Sequence, residues 1–153
     1  MKRILSIVGA FFLLLVFTAA GFIGYGAYLG NRLDASSKAY VEANVPVIAS
    51  NWSRDELQKR ASPQLLEILN AHPGELDRLF QKLARLGALK GLENVKGESN
   101  VSYGPDHGKV ITASYTATGK FEHGDANISM RLVQNSDQWQ FLLLNVTSPL
   151  LLQ

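Results

Sequence analysis

The first feature of the chain is an apolar stretch without a single charged side chain, which extends from Ile4 to Leu29. As a helix it would measure about 39 Å, more than the ~30 Å hydrocarbon core of a bilayer. The pattern predicts an N-terminal membrane anchor. The alternative is a cleaved signal peptide, with Lys2-Arg3 before the apolar run and Thr18-Ala19-Ala20 as the cleavage site. The run continues nine residues past Ala20, beyond the usual ~7–15 apolar residues of a signal peptide, and this favours the anchor.

The charges that flank this stretch predict its orientation. Lys2 and Arg3 precede it, whereas Arg32 and Asp34 nearly cancel after it. By the positive-inside rule the N-terminus lies in the cytoplasm and the remaining chain outside. We therefore expect a single-pass inner-membrane protein with an anchor over residues 1–33 and a periplasmic domain over residues 34–153.

Amphipathic helices are predicted for the first half of the domain. Gly30-Asn31 indicates a helix stop. Apolar residues then recur at helical spacing, at Val41, Val45, Ile48 and Trp52. The helix that they predict contains Pro46 in its interior. Ser53 and Glu56 have the spacing of a capping box, and Ser62-Pro63 and Pro73-Gly74 mark further helix boundaries. A last helix ending at Gly87 presents one apolar face, made of Leu76, Leu79, Phe80, Leu83 and Leu86.

After Gly87 the period of the pattern changes from helical spacing to strict alternation, which is typical of strands. One strand is predicted between Lys109 and Lys120, and a weaker one within Leu92 to Tyr103. The other two cover Ile128 to Leu132 and Trp139 to Thr147, the last apolar on both faces. Helices followed by strands predict an α+β fold, with about three helices after the anchor on one face of a curved four-stranded antiparallel meander.

This order of elements resembles the cystatin-like/NTF2-like superfamily, and the details resemble small proteobacterial envelope proteins with that fold. The likeness covers most of residues 36–148. It is seen in four stretches: YVEANVPVIASNWS (40–53), ASPQLL (61–66), FEHGDANISMRLV (121–133) and the closing WQFLLLNVTS (139–148). The resemblance implies a long helix cradled by the sheet. In enzymes of the superfamily an acid or base and a tyrosine lie in the space between this helix and the curved sheet. Here Tyr115 is present, but no carboxylate shares its face of the strand.

Charge and composition exclude several classes of function. Apart from Lys2 and Arg3, the chain contains 13 basic and 13 acidic residues, so it lacks the basic surface that nucleic-acid binding requires. It contains no cysteine, which excludes disulfides and thiolate chemistry. His107 and His123 lie at opposite ends of one predicted strand, about 40 Å apart, too far to share a metal ion. We expect no metal, no cofactor and no catalytic residue.

Two sets of residues are candidates for binding. Tyr115, Phe121, Met130 and Trp139 either line an apolar ligand pocket or belong to the core. Leu142 and Leu144 of the last strand, with Leu150, Leu151 and Leu152 of the tail, are predicted to pack on a partner protein, a second copy or the membrane surface. Alternatively, the tail folds back over its own sheet.

The sequence favours a non-enzymatic adaptor, held in the membrane and engaging a protein partner or a second copy of itself. The alternative function is the binding of a small apolar ligand, or isomerase-like chemistry, in a pocket between helix and sheet.

Overall fold

A computed structural model describes residues 28–152 of the chain. The predicted membrane helix, Ile4 to Leu29, lies outside these residues except for its last two positions. No helix within residues 28–152 has the length and apolar character needed to cross a membrane. By its internal contacts the chain divides into two units, Met1–Leu33 and Asp34–Gln153, and the second unit contains the sheet and the helices packed on it.

Four α-helices occur in the described part of the chain. Helix α1 covers residues 28–51, and α2, α3 and α4 follow over Arg54–Arg60, Pro63–Ala71 and Pro73–Leu83. A short 3₁₀ helix, Ala84–Leu86, ends at Gly87, whose φ of 79° suits glycine.

The predicted caps fix the boundaries of the middle helices. The hydroxyl of Ser53 accepts the Glu56 backbone N–H at 3.4 Å, and that of Ser62 accepts the Leu65 N–H at 3.2 Å. The second half of the predicted capping box is absent at Ser53, because the Glu56 carboxylate bonds Arg60 and Lys59 instead. Charged donors form stronger hydrogen bonds with a carboxylate than a neutral N–H does.

The strands form an antiparallel meander in the order β1-β2-β3-β4. They cover Leu89–Gly104, Gly108–Phe121, Asp125–Asn135 and Gln138–Thr147. The predicted α+β class with a four-stranded antiparallel sheet is thereby confirmed. The weak strand predicted within Leu92 to Tyr103 is longer than expected, at 16 residues.

The core of the second unit lies between helix α1 and the inner face of the sheet. Val41, Val45 and Ile48 are at most 1% exposed, as their spacing predicts. Ala113, Tyr115 and Ala117 of β2 face them, together with the alternating residues of β3. Burial of this stripe is the main driving force for packing the helix on the sheet.

Three local predictions were wrong. Residues 28–33 are helical, so Gly30-Asn31 does not stop the helix; an internal glycine costs only about 1 kcal/mol, which neighbouring turns offset. Trp52 does not continue the helical face of α1 but follows its end at φ 45°. Leu79 is 44% exposed, since only its neighbours at Leu76, Phe80 and Leu83 face the core.

Candidate functional site

An open groove of about 620 Å³ lies between α1, α2 and the start of β4. Helix α1 contributes Ser36, Tyr40 and Asn44, and the last turn of α2 contributes Lys59 and Arg60. The turn between β3 and β4 and the first residues of β4 complete it with Asp137, Gln138, Trp139 and Gln140. The lining combines two aromatic rings with amides and charged groups.

Arg60 is held in one orientation at the wall of this groove. Its Nε donates to Asn44 Oδ1 at 2.7 Å, and its Nη1 donates to the Glu56 carbonyl oxygen at 2.9 Å and to the Glu56 carboxylate. Lys59 Nζ also contacts that carboxylate, at 3.2 Å. Hydrogen bonds from Arg60, and then from Lys59, lower the pKa of Glu56. Two cations thus share one carboxylate, which leaves this cluster with one excess positive charge.

Two aromatic side chains form the apolar part of the lining. The Tyr40 ring lies 5.5 Å from that of Phe141, tilted by 48°. Burial raises the pKa of the Tyr40 phenol, while the charge of Arg60 acts in the opposite direction, so the phenol is neutral near pH 7 and can donate a hydrogen bond. Trp139 Nε1 donates to Ser36 Oγ at 3.0 Å, and this hydrogen bond fixes the indole of β4 against helix α1.

The groove also contains the free edge of the sheet. β4 pairs with β3 on one side only. On its other side the junction of α2 and α3 makes a single parallel bridge, Ala61 with Phe141, in which the Ser62 N–H donates to the Phe141 carbonyl at 2.8 Å. Because backbone groups of alternate residues point to the same edge of a strand, the N–H and C=O of Trp139 face this side too.

The four residues predicted to line a pocket do not come together in one place. Tyr115 and Met130 are cross-strand neighbours, 3% and 2% exposed, at the centre of the core. Phe121 lies at the other end of β2, with its ring 5.9 Å from that of Trp52. Trp139 alone lines the groove.

Tyr115 joins α1 to the sheet. Its hydroxyl donates to the Asp34 carbonyl at 3.0 Å and shares a 2.8 Å hydrogen bond with Ser37 Oγ. The Asp34 carboxylate in turn accepts the backbone N–H of Ser99 at 2.7 Å, as well as its hydroxyl. Burial raises the pKa of the Tyr115 phenol; the Ser37 hydrogen bond opposes this, and the charges of Asp34 and Glu42 reinforce it.

The leucines predicted to meet a partner differ in exposure. Leu142 is half-buried, and so is Leu144, which lies beneath the helices. The tail packs on the turn between β2 and β3, where Ser148 Oγ donates to the Asp125 carbonyl at 2.8 Å and Leu150 packs against Gly124. Leu151 is half-buried, whereas Leu152 is 89% exposed.

Sequence reasoning missed the groove because its parts are distant in the chain. Tyr40 and Asn44 are one helical turn apart, and Arg60 ends the next helix, so each looked like an ordinary surface residue. Of the lining residues, only Trp139 was among the binding candidates that the sequence indicated. Their convergence depends on the tertiary position of β4.

No group of three or more potential metal ligands from His, Asp or Glu occurs within residues 28–152. His107 lies in the turn before β2, and His123 in the turn after it.

Comparison with protein family models, curated proteins and solved structures gave no match for this chain.

Proposed function

We propose that this protein is a membrane-anchored adaptor of the bacterial envelope, whose periplasmic domain binds an extended segment of a partner protein in the groove beside β4. The observation that supports this best is the edge of β4 within the groove. Trp139 directs its backbone N–H and C=O toward that edge, and an extended polypeptide pairs with such groups by adding a strand.

The domain already makes one such contact with itself. Ala61 and Ser62 add a single parallel bridge at Phe141, and the next outward-facing residue toward the start of the strand is Trp139. A partner segment would continue this row of hydrogen bonds along Gln138 to Gln140. Main-chain pairing would supply affinity, and the flanking side chains would supply specificity.

The side chains of the groove suit a polypeptide better than an isolated ion. The half-buried ring of Tyr40 offers flat apolar surface, and the amides of Gln138 and Gln140 offer both donors and acceptors. The ring of Trp139 is only 7% exposed and forms the floor of the groove. Lys59 and Arg60 are matched by the carboxylates of Glu56 and Asp137, so the groove has no net charge. Arg60 can donate to an acceptor in the bound segment without losing side-chain freedom, because hydrogen bonds already hold it in place.

A photo-crosslinking amino acid placed at Gln138 of the full-length protein, expressed in its host cell, tests this function. We expect an adduct with one protein, and Arg60→Ala combined with the same probe should reduce its yield severalfold. The same probe at Gln64, exposed on α3, serves as the matched control. Absence of any adduct at Gln138, or an identical adduct from Gln64, would contradict the proposal. An adduct of twice the chain mass would identify the partner as a second copy.

The anchor and the location are part of the same proposal. The length of the uncharged stretch from Ile4 to Leu29 and the charges of Lys2 and Arg3 support an uncleaved single-pass helix with the domain in the periplasm. Intact-mass measurement of the protein extracted from inner membranes should give the full chain. Loss of about the first twenty residues, at the Thr18-Ala19-Ala20 site, would identify a cleaved signal peptide instead.

Membership of the cystatin-like/NTF2-like superfamily is likewise proposed. It is supported by the order of elements, helices before a four-stranded meander, and by the packing of α1 along the inner face of the sheet. The function proposed here does not depend on that membership, because folds of this kind host unrelated functions.

A further inference from the structure

The turn between β1 and β2 lies at the end of the second unit where its chain begins. Asp34, the first residue of that unit, accepts the Ser99 backbone N–H at 2.7 Å, and its carbonyl accepts the Tyr115 hydroxyl. At the other end of β2, the ring of Phe121 stacks on Trp52, which follows α1. Helix α1 and β2 therefore run in the same direction, so the start of β2 lies at the end where the unit begins.

The hairpin of β1 and β2 extends past this end of the helix. From Ser99 to Gly104, where β1 ends, the strand continues for about 17 Å at the usual rise per residue. β2 starts at Gly108, and residues 105–107 form an exposed turn between the strands. We call residues 100–111 the hairpin tip. The tip thus projects beyond the first residue of the unit.

One face of the hairpin tip carries apolar side chains that are partly or largely exposed. On this face Val101 pairs with Ile111, and Ile111 is half-buried. Tyr103 pairs with Lys109, one step nearer the turn. Because alternate residues of a strand share a face, these side chains lie on the same face as Ala113 of the core. Val101 is 37% exposed and Tyr103 is 76% exposed, so the apolar face of the sheet continues into the tip without complete cover.

A tyrosine paired with a lysine suits the boundary between hydrocarbon and water. The tyrosine ring places its apolar body in lipid and its hydroxyl among the headgroups, and a lysine extends its ammonium group to the phosphates. Within residues 28–152 the Lys109 ammonium group makes no ion pair. Single exposed apolar residues are ordinary, but Val101 and Tyr103 share one face of a projecting hairpin, and such grouping marks an interaction surface.

We propose that the hairpin tip lies in the interfacial region of the membrane, with Val101 and Tyr103 against the lipid. This inference rests on the proposed anchor, which ends at Leu29. Asp34 is five residues further on, so it lies within about 18 Å of the end of the membrane span even if the chain between them is fully extended. The tip projects about 17 Å beyond Asp34, which matches this distance. The anchor therefore keeps a lipid surface within reach of the tip.

Short-range fluorescence quenching by lipid tests this contact. The chain contains no cysteine, so a nitrobenzoxadiazole label can be attached at one introduced position. Asp106→Cys places it in the hairpin tip, and His123→Cys, in the exposed turn at the other end of β2, is the matched control. The full chain is reconstituted in vesicles of phosphatidylcholine and phosphatidylglycerol, with and without a phosphatidylcholine that carries a nitroxide on its headgroup. We expect the nitroxide to quench the label at position 106 severalfold more strongly than the label at position 123.

Two variants test whether the apolar side chains cause the contact. Val101→Ser combined with Tyr103→Ser should reduce quenching at position 106 to the level of the control. Ile68→Ser, which removes an apolar side chain 59% exposed on α3, should leave that quenching unchanged. If the double variant does not fold, the comparison of the two labels in the otherwise unchanged chain still decides the question. Equal quenching of the two labels would overturn the proposal. So would a blue-shifted label at position 106 without quenching, which would indicate that a second copy or another protein covers the tip.

Flotation of the vesicles distinguishes this inference from the anchor on which it rests. If the chain floats with the vesicles after an alkaline wash but the label at position 106 is not quenched, the anchor is retained and the hairpin contact is wrong. If the chain does not float, the anchor and the hairpin contact are both wrong. Neither result bears on the groove beside β4, because the hairpin tip and the groove share no residue, and crosslinking at Gln138 tests the groove separately.

Discussion

At the scale of single residues, Tyr115 shows how one hydroxyl group can link distant segments. It bonds Ser37 and the backbone of Asp34, both on α1, from the middle of β2. Sequence alternation correctly predicted that Tyr115 points inward. It did not predict the partners, because only the packed structure brings Asp34 and Ser37 against the sheet.

Tyr115→Phe should lower the free energy of unfolding by about 0.5–1.5 kcal/mol, the net contribution of a typical hydrogen bond. It removes the bonds of the phenol to Ser37 and to the Asp34 carbonyl, which remain bonded to each other at 3.2 Å. Denaturant unfolding of the full chain in micelles, followed by circular dichroism, measures the loss. Tyr103→Phe is the matched control: Tyr103 is 76% exposed, and its variant should stay within ~0.5 kcal/mol of the wild type. Equal stability of both variants would show that the Tyr115 hydrogen bonds are unimportant.

The stability of the fold should also fall at alkaline pH. Burial raises the pKa of Tyr115 and of Tyr40 above the value of 10.0 for a free phenol. Because each phenol has a higher pKa in the folded state than in the unfolded state, its contribution to the free energy of unfolding is complete below about pH 10. This contribution is lost as the pH rises through the folded-state pKa. Unfolding curves between pH 8 and 12 should show this decline, shallower in Tyr115→Phe and unchanged in Tyr103→Phe. A flat profile in the wild type would contradict it.

At the scale of elements, the pairing of the long edge strand β1 with β2 requires a glycine at position 97. The alternation of polar and apolar residues could not identify this requirement. A Cβ at Gly97 would overlap the backbone oxygen of Ser114 and lie 2.6 Å from the ring of Tyr115. The close approach of β1 to β2 here is therefore possible only without a side chain. At Gly91, in the same strand, nothing lies within 4 Å of such a Cβ.

Gly97→Ala should therefore destabilise the protein by about 1–3 kcal/mol, the usual cost of overpacking. Gly91→Ala, its matched control, should change stability by less than ~0.5 kcal/mol. Thermal or denaturant unfolding of both variants gives the comparison. Similar effects of the two substitutions would mean that β1 and β2 are not packed as described.

The elements differ in how far the sequence predicts them, and the reasons are physical. β2 and β3 alternate because one face is buried, and the helix starts at Ser53 and Ser62 follow from local capping. β1 alternates weakly because it is an edge strand with most side chains exposed. The end of α1 at Trp52 was missed because a left-handed tryptophan is held by tertiary contacts with Phe80 and Phe121.

At the scale of the whole molecule, the candidate groove combines segments about a hundred residues apart, from Ser36 to Gln140. No spacing rule connects them, so the sequence predicted a different partner surface, made of Leu142, Leu144 and the leucines of the tail. The partner site that we propose lies instead at the edge of β4, beside Arg60. The leucines of the tail lie elsewhere, on the turn between β2 and β3.

Backbone hydrogen exchange at Trp139 tests the central proposal most directly. The full chain is compared by mass spectrometry in native inner-membrane vesicles and after purification in micelles. The reporter is a peptide that begins at or before Gln134 and ends at Phe141, so that it retains the Trp139 amide, and Lys90–Lys96 on the opposite sheet edge is the control. If a partner segment pairs with β4, exchange in the reporter should be at least tenfold slower in the vesicles, whereas the control should not change. Equal exchange rates of the reporter in both preparations, or the same change at both edges, would contradict the account.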